Sequence, residues 1–216
     1  MRMHNAPNTS PNTTLNSTWA WWQRPGRSLA VGAVVLAGAL LSAAPAQANS
    51  PDAVGPKAAG QRPEMAALSG VVPTAPVRLR VWGFEVYDAR LWTPPGFRFS
   101  QAAQFSYALE LQYLRRLEGG AIASRSIDEM RRVGSFSDAQ AQTWLAAMQA
   151  LFPDVAAGER ITGINLPGVG AEFWVNGRRV GVVKDPDFAR LFFGIWLDER
   201  TSEPKMRAQL LQGLSP

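Results

Sequence analysis

Every aromatic residue other than Trp19, Trp21 and Trp22 falls between Trp82 and Trp196. Aromatic rings supply much of the apolar burial in a small domain, so this confinement predicts one compact core over residues 77–214. Residues 49–76 carry no aromatic side chain and are rich in Pro, Gly and Ala. Such a stretch cannot bury much surface and reads as a flexible linker or arm. The 216-residue chain is otherwise 46% hydrophobic and 18% charged, which excludes disorder or a collagen repeat as a description of the whole.

Ahead of the arm, residues 29–41 form an uncharged apolar run, preceded by Arg24 and Arg27 and followed by Ala46-Gln47-Ala48. That order is the pattern of a Sec-type signal peptide, and it predicts residues 1–48 as a leader cleaved after Ala48. A spanning helix needs about 20 apolar residues. The run is shorter and ends in Ser42, Pro45 and Gln47, so no stable membrane anchor is expected after cleavage. The expected location is periplasmic or secreted.

The chain has no cysteine, and its single histidine is His4, within the leader. Disulfides, thiolate metal sites and cysteine nucleophiles are excluded, and the mature part has no imidazole for a Ser-His-Asp triad or a metal. No cofactor and no metal site are expected. Net charge is +5, and losing Arg2, Arg24 and Arg27, with no acid before Asp52, leaves +2. That balance gives no argument for nucleic acid, and Arg115-Arg116, Arg131-Arg132 and Arg178-Arg179 are pairs, not a basic stripe.

The domain reads as mixed sheet and helix. Residues 77–81 alternate, the phase shifts at Trp82-Gly83, and the pattern resumes at Phe84, as for a strand with a bulge at Gly83. In residues 105–113, Phe105, Tyr107, Leu109, Leu111 and Tyr113 point one way and Ser106, Ala108, Glu110 and Gln112 the other. A short helix is predicted over 121–133. Ser137 and Gln140 form a capping box for the next helix, which carries Trp144, Met148 and Leu151 and stops before Pro153. Residues 159–166 read as a strand, and Asn176-Gly177 closes a hairpin between 171–175 and 178–183. Asp185-Pro186-Asp187 then caps a helix with the buried stripe Phe188, Leu191, Phe192, Ile195 and Trp196, and a last helix is expected over 204–214. These elements define an α+β domain in which helices cover one face of a sheet.

Three segments, at 82–92, at 105–113 with the glycine pair that follows, and at 173–177 through 185–197, resemble the exported bacterial branch of the chalcone isomerase-like family. The resemblance implies an open-faced β-sandwich, an antiparallel sheet covered by a layer of helices, with a ligand cleft between them. It also implies that much of the isomerase chemistry is missing. The tyrosine, lysine and asparagine of the plant enzymes' helix fall on Ile122, Arg125 and Glu129. A threonine of the first core strand falls near Trp82, and a hydroxyl of the late helix near Gly194. The family's guanidinium falls on Arg78 or Arg80. Relatives without the full catalytic set bind fatty acids, for which a cation over an apolar cleft is the required chemistry.

The candidate ligand-binding residues are therefore Arg125, Arg80, Tyr107, Tyr113 and Trp82, with no catalytic residue assigned. The bland alternatives are a surface ion pair for Arg125 with Glu129, and core packing for Trp82, Tyr87, Tyr107 and Tyr113. Three functions are open: a non-catalytic binder of a small apolar or carboxylate ligand such as a fatty acid, an intramolecular lyase using Arg125 with Tyr107 or Tyr113, and an envelope partner protein docking through residues 49–76 or an exposed patch. Closing a phenolate onto an enone needs a shaped cavity and donors for enolate charge, so the shortage of hydroxyls favours binding over turnover.

Overall fold

A computed structural model describes residues 62–216; the expected leader and residues 49–61 of the expected arm lie outside the described residues. The chain runs α1 (Pro63–Ala66), β1 (Val72–Pro73), β2 (Val77–Val81), β3 (Phe84–Thr93), a 3-10 turn (Phe99–Gln104) and β4 (Tyr107–Tyr113). It continues through α2 (Gly119–Val133), α3 (Asp138–Leu151), β5 (Arg160–Leu166), β6 (Gly170–Val175), β7 (Arg178–Val183), α4 (Pro186–Leu197) and α5 (Pro204–Leu210).

All seven strands form one antiparallel sheet in the order β1-β3-β4-β5-β6-β7, with β2 also on β3 beside β1. Because sheet neighbours are mostly chain neighbours, the hydrophobic alternation of each strand fixes a common inner face. The register sets Tyr87 opposite Tyr113, Leu91 opposite Leu109, Leu109 opposite Gly163 and Gly163 opposite Phe173. Helices α2 to α5 cover that face, with α2 lying against both α3 and α4. The α+β, helix-covered sheet expected from the sequence is the observed architecture.

Local signals account for the helices. Ser137 and Gln140 make both bonds of the capping box. The Asp185 carboxylate accepts from the amides of Asp187 and Phe188, satisfying two of the donors that open α4. Its other oxygen accepts from Trp144 Nε1 at 2.9 Å, tying α3 to α4. The stripe Phe188, Leu191, Phe192, Ile195 and Trp196 is buried as its period requires.

Three readings need correction. Trp82-Gly83 is a two-residue hairpin turn rather than a bulge, since Val81 pairs with Phe84 and both turn residues have positive φ, 54° and 83°. The register shift lies further along, between Leu79 and Arg80. Trp82 is consequently 75% exposed at the tip and contributes neither to the core nor to a cleft. The arm boundary also moves: residues 62–73 are part of the fold, with Glu64 and Leu68 buried and β1 paired to β3. Composition hid this because the segment docks through ion pairs and three apolar side chains, Met65, Leu68 and Val71, not through aromatics.

That segment crosses the outer face of the sheet, opposite α2 to α5. Leu68 packs with Ala108 and Ile164, flanked by Met65, Trp92 and Trp174. Beside it, Arg62 donates to both oxygens of Glu110, at 2.5 Å and 3.0 Å. Arg160 lies between two acids, 3.5 Å from Glu110 and 4.0 Å from Glu64. Thr162 Oγ1 donates to Glu64 at 3.3 Å, while the second Glu64 oxygen is buried without a hydrogen-bond partner among the described residues.

Candidate functional site

The side chains with chemistry to offer on the inner face gather where α2 and α4 meet the β3–β4 end of the sheet. Tyr87 and Tyr113, paired across these strands, meet edge to face with ring centroids 6.1 Å apart. Trp196, from the last turn of α4, donates Nε1 to the Tyr87 hydroxyl at 3.0 Å. The hydroxyl thereby accepts one bond and keeps its own proton to donate.

From α2, Arg125 donates through Nη2 to Glu129 Oε1 one turn later, and Arg132 Nε reaches the other oxygen of Glu129 at 3.3 Å. With the Arg125 side chain only 12% exposed, this is not the surface pair that i,i+4 spacing alone would suggest. Glu203, the residue that caps α5, completes the cluster electrostatically. Burial, and then the charge of Glu129, raise its carboxyl above the ordinary range, against an opposing pull from Arg125. Burial likewise pushes the phenols of Tyr87 and Tyr113 upward, so both stay neutral hydroxyls. Counting Arg125 and Arg132 against Glu129 and Glu203, the cluster is neutral with all four ionised and carries one positive charge when Glu203 is protonated.

Of the five predicted ligand residues, two gather around Tyr87, which feels the Arg125 charge and meets the Tyr113 ring, and the other three lie elsewhere. Tyr107 shares the inner face but sits at the far end of β4, roughly 20 Å along the strand from Tyr113. There its ring packs against Phe97 and Phe193, as core. Arg80 projects from β2 on the side opposite the buried Val77, Leu79 and Val81, and it pairs with Glu85 in solvent. Arg78, the other candidate for the family guanidinium, takes Asp88 and Glu85 on the same outer side. Trp82 is at the hairpin tip.

Position 194 holds no hydroxyl for a steric reason. A Cβ there would come within 2.6 Å of Val133 Cγ1, so glycine is what lets α4 approach α2. Three contributors were missed in the sequence: Tyr87 and Trp196 read only as core, and Glu203 was not singled out. Their signal was partial, since Trp196 ends the apolar stripe and Tyr87 lies in β3, but neither pattern shows an indole meeting a phenol.

Removing Glu203's charge tests this arrangement. An acid whose folded pKa exceeds its unfolded value favours the native state only while protonated, so its contribution fades as pH rises through that interval. Glu203→Gln is therefore expected to stabilise the protein at neutral pH, by under about 1 kcal/mol given partial solvent screening, and to leave stability unchanged near pH 3. Thermal melts of both proteins at the two pH values check the sign.

The fold and this cluster together define a class: an α+β domain with a helix-covered antiparallel sheet and a guanidinium set between the layers. A family model described as chalcone isomerase-like matches residues 74–212, and the chain belongs to that family. An uncharacterized protein of Haemophilus influenzae is 32% identical over 131 residues, which are 60% of this chain and 63% of that protein. The match thus spans less than two thirds of that relative. The crystal structure of a fatty-acid binding protein of Arabidopsis thaliana is 14% identical, with a TM-score of 0.49, covering 64% of this chain and 84% of that one. That likeness is too distant to carry an argument about fold or ligand.

Proposed function

We propose that this protein is an exported, non-catalytic binder of a small amphiphile bearing a carboxylate, with a fatty acid as the representative ligand. The observation that carries the reading is Arg125, a largely buried guanidinium whose charge reaches Tyr87, the phenol that meets Tyr113 edge to face. A guanidinium is the cation whose planar fork matches a carboxylate, and Arg125 already engages one in Glu129. Protonation of Glu203 leaves the cluster with a positive charge for that carboxylate to neutralise, so binding is expected to strengthen as pH falls toward the Glu203 transition.

Lyase chemistry is the second reading, and Tyr87 is what keeps it open, because a phenol with a proton to give stands near a cation. Tyr107 has no part in it, being at the other end of the strand. Neutral phenols can steady developing enolate charge but cannot act as bases here.

A fluorescent long-chain fatty acid and its methyl ester distinguish carboxylate recognition from apolar adsorption. The acid is expected to bind tightly and the ester weakly. Arg125→Lys should weaken the acid by about ten- to hundredfold, as for loss of a charge-assisted hydrogen bond. The lysine keeps a cation beside Glu129, which guards against simple unfolding. Equal binding of acid and ester, or an unchanged Arg125→Lys protein, would sink the assignment.

A further inference from the structure

We propose that the β2–β3 hairpin tip docks on an anionic phospholipid bilayer, with Trp82 entering the interfacial zone and neighbouring arginines meeting headgroup phosphates. The inference does not depend on the ligand reading. Two tight turns of the same kind occur in this sheet. One is Asn176-Gly177, with φ 50° and 80°, the residue pair such a turn prefers. The other places a tryptophan at φ 54°, in the left-handed region that bulky residues avoid. Nothing in the core rewards this choice, since the Trp82 ring is 75% exposed.

The chemistry around the ring says what it meets. Phe84 follows it at 53% exposure, with the Arg115 guanidinium 5.6 Å over the Phe84 ring. Arg80 lies two residues before the tip and pairs with Glu85, and Arg116, next in sequence to Arg115, pairs with Asp154; both acids are exposed. Carboxylates so well solvated can be exchanged for phosphates at little cost. The size of the patch decides between partners. Two rings on a two-residue turn offer on the order of 250 Å², well short of the roughly 800 Å² per side of a stable protein interface. A narrow, convex, aromatic tip with arginines behind it suits a fluid interface, where indole rings settle at headgroup depth. Strand β3 then leads from Phe84 to Tyr87, about 10 Å along, which puts the polar cluster close behind a docked tip.

The full chain mixed with vesicles of phosphatidylglycerol and phosphatidylethanolamine, brominated on the acyl chains just below the headgroups, tests the proposal. Tryptophan emission is expected to be quenched, and Trp82→Phe is expected to abolish one indole's share of that quenching. The aromatic replacement keeps the tip apolar, and a matching circular dichroism spectrum shows that the fold is kept. The Trp82 share should fall severalfold when phosphatidylcholine replaces phosphatidylglycerol. Identical quenching of wild type and Trp82→Phe would overturn the proposal, because ring 82 would then stay in water. A concentration-dependent dimer dispersed by Trp82→Ser would overturn it as well, by showing a second copy on the tip.

Discussion

Replacing Glu110 by alanine is expected to destabilise the protein by about 3–5 kcal/mol, the range for breaking a buried ion pair from one side. The thermal midpoint should fall by roughly 10 °C or more. Arg160 is the reason: its side chain is only 2% exposed and 3.5 Å from Glu110, and among the described residues the other acid facing it is Glu64, at 4.0 Å. The same substitution removes both hydrogen bonds from Arg62, so residues 62–73 lose their anchor at the sheet. Arg62→Ala should cost much less, because Arg62 is more exposed and its loss leaves Glu110 still facing Arg160. Replacing Glu64, Glu110 and Arg160 together by Leu, Leu and Met should recover most of the loss, since desolvation of the charges disappears with them. Denaturant titrations of wild type and the three variants give the comparison. A Glu110→Ala protein as stable as wild type would mean that this face is wet enough to solvate Arg160.

How much was legible in the sequence follows from the range of the forces involved. Strand alternation at 107–113, the capping box at Ser137, the Asn176-Gly177 turn and the α4 stripe are local patterns, and each appears where it was expected. The side of residues 105–113 opposite the core face reads as small or polar, however, and Glu110 on it is buried. Only the docking of residues 62–73, decided 48 positions away through Arg62 and Glu110, reverses that reading. The site divides in the same way. Arg125 and Glu129 are visible as a helical pair, but the depth of the pair depends on α2 packing against α4, which glycine at 194 permits. Trp82 reads as core by residue type and is expelled by backbone geometry, because a two-residue turn leaves its side chain no interior to enter.

Phe173→Ala is expected to cost about 3–5 kcal/mol, toward the top of that range for truncating a buried aromatic residue. Phe173 is fully buried in β6, with its ring 5.0 Å from Phe152 and 5.1 Å from Phe192. Across the sheet its neighbour is Gly163, where an added Cβ would lie only 3.3 Å from both the Phe173 and the Phe193 rings. The large ring thus fills the space that glycine vacates, and the strands cannot collapse to close the hole left by alanine. Gly163→Ala alone should be mildly destabilising, whereas in the Phe173→Ala background it should return part of the loss, a coupling that a double-mutant cycle reads directly. The consequence reaches the site through α4. Phe192 rests on Phe173 and also touches Trp196, whose indole holds the Tyr87 hydroxyl. Loosening that helix should therefore lower affinity for the fluorescent fatty acid together with stability, although Phe173 does not belong to the polar cluster. Affinity that stays at the wild-type level in folded Phe173→Ala protein would show that Trp196 is held by α2 and the sheet without help from the aromatic core beneath α4.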